Sequence, residues 1–555
     1  MTVKSLLVSF AGYPYTPSSL MLDNGLAMLA ASLIEDGHEC RIIDCGTVDV
    51  MERLSPGRYG PELWGISRKI LADLATKGRH DPGDESSLRD LEARISGLQD
   101  AATRDIAREI AGRVKEDGIG LVGLKLWNGD GFSGSIAIAE EVKRQNPSVL
   151  VVGGGPQVDY FVEDIFSVTD AFDILVFGEG EATIKALAIY AERREGLDAV
   201  PNVIFRKDGG IVKTAIKMID DLDSLPTAVY DPDVYPAIKG DNKFKVITID
   251  ESRGCFYGKC NFCIQPFKSG AYLRKRSPSR IVDDMEQFIE RHGISVFRYA
   301  GSATPPGHAK AIAEEVIRRG LGIEYTMFCI AAGYDVEAFR LLKESGLYAV
   351  FFGGESGSAR QLKDSINKPT GPEQLKRSIV AAKEAGVFTI ASFIFPTPGE
   401  TEETMQETLR FIDEVRPDAV PVTPPGVLPN TPWAEHPEMF GIVLADDYLP
   451  RLMKLKFKLL FPAILWDPFP YKIDGMTSSE LGARSARFSQ EVEKLGVTTF
   501  ISDELKLLAK YAGMDAREYR DRTQGYIMKG DHSAMRDVVR DTNGRIFSRL
   551  QGTAS

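Results

Sequence analysis

The sequence lacks any apolar run long enough to cross a bilayer. It also lacks the cationic excess that nucleic-acid binding requires, since 67 Lys and Arg stand against 79 Asp and Glu for a formal net charge of -12. These absences exclude a membrane-spanning protein and a general nucleic-acid binder, and leave small-molecule chemistry as the expectation. Histidine is scarce, with six residues. His80, His292, His308, His436 and His532 fall at helix ends or among charged and turn residues and form no constellation. No Gly-Lys-Ser/Thr phosphate loop and no hydrolase nucleophile motif occurs. The first residues, MTVKSLLVSFAG, hold an apolar run of strand length, too short for a secretory leader, so the expected location is the cytoplasm.

What is present is an ordinary globular composition, 43% hydrophobic and 26% charged, over 555 residues, enough for several folding units. Strand-like and helix-like segments alternate through the first two hundred residues. Strands are expected at Val3 to Phe10, Cys40 to Asp44, Gly120 to Leu126, Val149 to Val152 and Ile174 to Phe177. Helices are expected at Asn24 to Glu35, Ser135 to Arg144 and after Glu181. The alternation predicts a doubly wound parallel sheet over 1–200. An insertion of about 51–116, dense in charge at helical spacing, reads as a solvated helical hairpin. Residues 201–245, with the Pro- and Asp-rich stretch Asp220 to Pro236, read as a linker. Six further strands follow, at Val246 to Asp250, Val296 to Ala300, Ile323 to Phe328, Ala349 to Phe352, Thr389 to Phe395 and Ala419 to Val422. With helices between them they suit a partial (β/α)6 barrel over 246–432, whose site lies at the carboxyl ends of its strands. Beyond Pro432 the pattern is helical only and predicts a helical cap over 433–555.

Six cysteines in a chain of this length build no disulfide framework, yet Cys255, Cys260 and Cys263 fall within nine residues, in ESRGCFYGKCNFC directly after the first barrel strand. Thiolates suit zinc or iron-sulfur clusters. A structural zinc site wants four ligands and no fourth Cys or His lies close by, so three ligands point to a cluster with one iron open; a zinc site completed from afar is the competing reading. The loop resembles that of the radical S-adenosylmethionine (SAM) enzymes, with C-x4-C-x2-C in place of their commonest C-x3-C-x2-C; the extra residue falls in the bend Tyr257-Gly258-Lys259. The resemblance implies a 4Fe-4S cluster on Cys255, Cys260 and Cys263 with SAM on the open iron, and SAM contacts from Phe262, from Glu355 and Ser358 after FFGG, and from Ser392 in TIASFIFPTPGET. Where many relatives have an acidic residue after strand two, this chain reads YAGS. Ten Lys or Arg between Lys239 and Arg280, against three acidic residues, form a basic stretch that would dock an acidic electron donor, hold an anionic substrate, or simply be solvated surface.

In the amino-terminal domain, the turns VVGGGPQV and FGEGE and the helix NGLAMLAASL resemble the cobalamin-binding domain that precedes the barrel in one subgroup of radical SAM enzymes. The contacts implied are Gly153, Gly154, Gly155, Pro156, Gln157, Gly178, Glu179 and Gly180, with Trp127 and Asn128 packing on the corrin or its tail. No D-x-H-x-x-G loop is present, and His38 reads as a helix-end residue, so the cobalt's lower face is expected to take no histidine from this domain. The fold class that follows is α/β: a Rossmann-like cobalamin-binding sheet, a TIM-type partial barrel and a helical cap.

The activity implied is methyl transfer to an unactivated carbon or a phosphinate phosphorus of a small-molecule or peptide intermediate. An adenosyl radical would remove a substrate hydrogen, methylcobalamin would deliver the methyl group, one SAM would serve each role, and a reducing partner such as flavodoxin or ferredoxin would feed the cluster. The alternatives are a rearrangement or oxidation with the same cofactors, or a non-catalytic cobalamin- or SAM-binding protein. No catalytic acid or base is singled out. Trp433, Phe461, Trp466, Phe469 and Tyr471 in the cap offer aromatic surface for specificity or, more simply, core.

Overall fold

In the computed structural model, which describes residues 2–77, 79–456 and 466–552, the central strands of the first sheet bury both faces, as parallel strands covered by helices must. Strand β1 (Lys4–Ser9) buries every residue after Lys4. It is flanked by β2 (Glu39–Asp44) and β3 (Leu121–Lys125), followed outward by β4 (Leu150–Gly154) and β5 (Ile174–Val176). All these neighbours pair in parallel, in the order β2-β1-β3-β4-β5, which places a topological switch point between β1 and β3. The connecting helix Asn24–Glu35 starts where the Asp23 carboxylate accepts the Leu26 N–H, and the chain turns away from it at Gly37, with φ +85°.

Two strands extend this sheet beyond the sequence-based expectation. β6 (Val203–Lys207) and β7 (Gly210–Lys213) add to β5 as an antiparallel edge hairpin, inside the stretch read as linker. Its two-residue turn is Asp208-Gly209, both at positive φ, a turn that matches strand twist. The rest of that stretch is packed rather than loose. Leu222, Leu225, Tyr230 and Tyr235 are buried, and the Tyr235 hydroxyl accepts the Asp23 N–H and donates to Asp44. The insertion is a helical pair, Gly60–Lys77 and Pro82–Glu116, whose Leu63, Ile70, Leu88, Leu91 and Ile95 cluster with Met528 of the cap. One face of it is therefore core, a correction to the solvated hairpin.

The second sheet is parallel and open, with six strands in the order β15-β14-β13-β12-β11-β8. They are β8 (Ile247–Ile249), β11 (Val296–Tyr299), β12 (Glu324–Cys329), β13 (Leu347–Glu355), β14 (Phe388–Ile394) and β15 (Val422–Thr423). Between β8 and β11 lies a short antiparallel ribbon, β9 (Ser252–Arg253) with β10 (Arg274–Lys275).

The cap holds the helices Ser478–Lys494, Asp503–Ala512, Ala516–Lys529 and His532–Gly552, and also an antiparallel pair, β16 (Ile442–Leu444) with β17 (Tyr471–Ile473). Three-residue strands almost thirty residues apart carry no readable alternation, so "helical only" was too simple. Trp433, Phe469 and Tyr471 are buried and Trp466 is half-buried, which makes the first three core; Phe461 lies outside the described residues. No helix among the described residues is long and apolar enough to cross a membrane.

Candidate functional site

The cysteine loop springs from the β9–β10 ribbon, which closes residues 254–273 at their base. Two glycines shape it. Gly254 has φ +84°, and a Cβ there would stand 2.1 Å from the Tyr272 carbonyl oxygen; Gly258, at φ +58°, makes a bend within the C-x4-C spacing. The loop leans on residues 365–367. The Asn261 N–H and side-chain amide donate to the Ile366 and Ser365 carbonyls at 2.8 and 2.9 Å. The Asn367 amide donates to the Lys259 carbonyl at 2.7 Å, and the Tyr257 hydroxyl donates to Asn367 Oδ1 at 2.8 Å. From the cap, the Trp433 backbone donates to Asn261 and its indole to Ser365, while its ring lies 5.9 Å from that of Phe262.

Cys255, Cys260 and Cys263 are half-buried, whereas Cys40, Cys45 and Cys329 are buried elsewhere. Burial pushes the Cys260 thiol up to about 12 and raises that of Cys263 as well, as expected of sulfurs whose charge a metal would have to compensate. Among the described residues no three His, Cys, Asp or Glu side chains converge on a single-ion position. Three half-buried thiols of one loop are a donor set for a cubane, in which each thiolate meets its own iron. The residues present fit a 4Fe-4S cluster.

The SAM candidates lie on the neighbouring strand ends. Glu355 ends β13 with φ +62°, a conformation that costs a non-glycine residue of order 1 kcal/mol or more and is held by its surroundings. Its carboxylate takes the half-buried Lys368 ammonium at 2.8 Å. Burial alone would lower the Lys368 pKa, but Glu355 and the nearby Cys260 and Cys263 thiols outweigh it and raise it. Ser358 is fully buried and its Oγ has no hydrogen-bond partner among the described residues, an orphaned polar atom of the kind a ligand satisfies. Ser392 is half-buried on β14, in register with Gly353.

Sequence reasoning missed Lys368, whose only local signal is the Asn-Lys-Pro that follows a short helix, and it missed Glu251. The carboxylate of Glu251, fully buried and pushed up to about 6 by that burial, accepts the Gly301 N–H at 2.8 Å and the Thr304 hydroxyl at 2.6 Å. A carboxylate thus stands at the YAGS strand end, reaching it from the β8 side. Gly301 is required beneath it, since a Cβ there would come within 1.9 Å of Glu251 Oε1.

A cavity of about 350 Å³ opens at the carboxyl edge of the first sheet. Its floor is apolar, formed by Leu7, Leu26, Leu29, Val152 and Ile184. Gly154, Gly155, Gly178, Glu179 and Gly180 line it from the sheet turns, and Asp250, Ser252, Arg253 and Gly254 line it from the foot of the cysteine loop. An apolar floor under a polar rim fits a ligand with a flat apolar body and hydrogen-bonding edges, as cobalamin has. Gly154 sits with room around it: among the described residues a Cβ would meet nothing closer than 3.5 Å.

The other cobalamin candidates stand outside this cavity. Gly153 faces the opposite side of β4, packed among Leu126, Leu175 and Phe172, because side chains alternate along a strand. Pro156 begins the helix Pro156–Phe161, and the buried Gln157 amide donates to the Met453 carbonyl at 2.7 Å. The Trp127 indole donates to Ser9 Oγ at 3.0 Å, with Lys125 Nζ 4.4 Å above its ring. Asn128 is exposed and borders a second cavity, of about 440 Å³, beside Tyr13 and Tyr15. No histidine lines the first cavity among the described residues, and His38 Nδ1 accepts the Val3 N–H at the far edge of the sheet.

The basic stretch is consumed by the fold. Lys243 pairs with Asp44 at 2.5 Å, Arg253 with Glu181 at 2.6 Å, Arg274 with Glu179 at 2.7 Å, and Arg276 and Arg280 with Asp284 at 2.7 and 3.1 Å. Lys239, Lys259 and Lys275 are the members left exposed. Counting charges along the chain overstated the surface, because their partners come from distant segments.

Comparison with known proteins agrees with this geometry. Residues 252–412 match the radical SAM superfamily and residues 80–188 match the B12 binding domain. An uncharacterized methyltransferase of Pyrococcus horikoshii is 26% identical over 372 residues, covering 65% of this chain and 79% of its own length. An anaerobic magnesium-protoporphyrin IX monomethyl ester cyclase of Rubrivivax gelatinosus is 30% identical, and the chain spans only 52% of that relative's length. In fold, the chain is similar to the radical SAM methyltransferase TsrM of Kitasatospora setae, solved with cobalamin and a 4Fe-4S cluster, with a TM-score of 0.62, 16% identity, and coverage of 96% of this chain and 100% of that one. The chain thus carries a B12-binding domain followed by a radical SAM domain, and the cofactors that these imply are cobalamin, a 4Fe-4S cluster and SAM.

Proposed function

We propose that this chain is a cobalamin-dependent radical SAM methyltransferase that moves a methyl group to an unactivated carbon, or to a phosphinate phosphorus, of a small-molecule or peptide intermediate. The observation that carries this reading is that a single cavity is bordered both by the glycine turns of the first sheet and by the residues at the foot of the cysteine loop. When bound, the cluster with SAM supplies radical chemistry and cobalamin supplies a methyl group. The chain's own part is placement. Cys255, Cys260 and Cys263 hold the cluster; Phe262, Glu355, Ser358 and Ser392 contact SAM; Gly154, Gly155, Gly178, Glu179 and Gly180 let backbone approach the corrin. In this reading Gly153, Pro156, Gln157 and Trp127 support the turns from behind, Asn128 takes no part, and a reducing partner such as flavodoxin or ferredoxin serves the cluster.

The methyltransferase relative and the TsrM fold support methyl transfer, while the cyclase relative supports a second reading, rearrangement or oxidation without it. Comparing metabolites in cells with and without the protein supplies the substrate. With that substrate and methyl-labelled SAM, 5'-deoxyadenosine and S-adenosylhomocysteine should accumulate in parallel and the label should enter the product. Substrate-dependent deoxyadenosine with an unlabelled product would overturn methyl transfer in favour of the second reading.

A further inference from the structure

The turn Gly178 to Glu181 carries two glutamates with different fates. Glu179 is fully engaged. Its two oxygens take the two Arg274 Nη groups at 2.7 and 2.8 Å, and Oε2 also accepts the Ile219 N–H at 2.7 Å. Arg274 in turn donates to the Ile219 and Ser269 carbonyls. This glutamate fastens one foot of the cysteine loop, the β10 side, to the first sheet.

Glu181 holds the other foot with half of its carboxylate. Oε1 accepts from Arg253 Nη2 at 2.6 Å, on the β9 side, and Asp250 takes the same guanidinium at 2.8 Å. Among the described residues, Oε2 is buried and has no hydrogen-bond partner; the side chain is 8% exposed and the residue lines the cavity. A buried carboxylate oxygen without a donor is unfavourable, so a donor that reaches it from the cavity is favoured there. An anion is not favoured, because the carboxylate already occupies this helix start. The partner that fits is an N–H donor.

Granting that the cavity is the cobalamin site, we propose that Glu181 Oε2 accepts a hydrogen bond from a carboxamide N–H on the corrin rim. One carboxylate then joins the cofactor held by the first sheet to Arg253, two residues before Cys255. Glu181 is a binding and positioning residue that the glycine-turn motif alone does not disclose.

The test uses the full chain and two corrinoids that both lack the nucleotide tail: dicyanocobinamide, whose rim carries amides, and dicyanocobyrinic acid heptamethyl ester, whose rim carries esters and no N–H. Affinities are read from the corrinoid absorbance. Glu181→Leu should weaken cobinamide about tenfold or more and change the ester by less than about twofold. Glu181→Gln preserves volume but presents a donor where an acceptor stood, so it should weaken cobinamide and leave the ester equal or tighter. Equal losses for both corrinoids, in either variant, would overturn the proposal and reduce Glu181 to a cavity wall. Gly154→Trp separates the underlying reading: wild-type chain that binds neither corrinoid, or cobinamide binding that survives Gly154→Trp, overturns the cavity assignment itself.

Discussion

The cysteine loop gathers its three candidate ligands within nine residues, whereas the cavity facing it draws on Leu7, on Lys125, on the turns at Gly154 and Gly178, and on the β9 strand of another domain. A metal-sulfur site depends on a few strong bonds, so the residues that make them must be of one type and can be close in sequence. A large organic cofactor is held by many weak contacts and by absence of side chains, so its site is spread over strand ends that only the fold brings together. The two regions therefore differ in how they can be broken: the first by any one atom, the second by filling space.

The largest effect expected follows from the first property. Changing Cys255, Cys260 or Cys263 to Ala removes the protein ligand of one iron, and anaerobic reconstitution should then fail to give a stable oxygen-sensitive cluster, read by iron and sulfide content and by visible absorbance. Cobalamin binding should survive in the same variants. A triple Ala variant that still holds four irons per chain would remove the loop from consideration.

Next in size is the converse. Gly154→Trp projects a ring from a position with room around it into the lining of the cavity. It should weaken cobalamin binding about a hundredfold or more, or nearly 3 kcal/mol, while the cluster reconstitutes normally. Gly153→Trp would be a different experiment, because Gly153 faces Leu126, Leu175 and Phe172, and overpacking there should lower stability. If both substitutions lowered cobalamin affinity and stability together, the distinction between cavity-facing and core-facing glycines would collapse.

The same contrast explains what could be read in advance. The strand-helix alternation, the helix at Asn24–Glu35 and the cysteine loop were legible because each is a local pattern. The β6–β7 hairpin carries a turn signal at Asp208-Gly209, but the Pro- and Asp-rich stretch Asp220 to Pro236 makes the whole of 201–245 read as linker. Lys368, Glu251 and the Arg253–Glu181 pair were not legible, since their meaning depends on partners 13, 50 and 72 positions away. Among the glycine turns the motif located the cavity but could not say which member faced it; Gly153 and Gly154 are adjacent and point to opposite faces. The basic stretch failed for the same reason.

The smallest effect concerns Asp159, which stands where the two regions meet. Its Oδ1 accepts the Gly178 N–H at 2.8 Å and its Oδ2 lies 3.9 Å from Lys268 Nζ, on the short helix Gln265–Ser269 that follows Cys263 within the loop. Burial pushes its carboxyl up to about 6 from the usual value of 3.8, and neither Lys268 nor the Gly178 amide offsets that fully. Because the folded chain holds this proton to a higher pH than the unfolded chain does, the folded state loses stability as pH rises from about 4 to about 6 and recovers none of it above that window. The shift amounts to about 3 kcal/mol for this group at neutral pH. Asp159→Asn keeps an oxygen for the Gly178 N–H and cannot ionise, so the stability difference between variant and wild type, from urea unfolding of the chain, should grow in favour of Asn by about 1 kcal/mol or more between pH 5 and pH 7. A difference that stays flat over that range would mean that Lys268 or water already compensates the charge, and the junction between the two regions would then be wetter than its burial indicates.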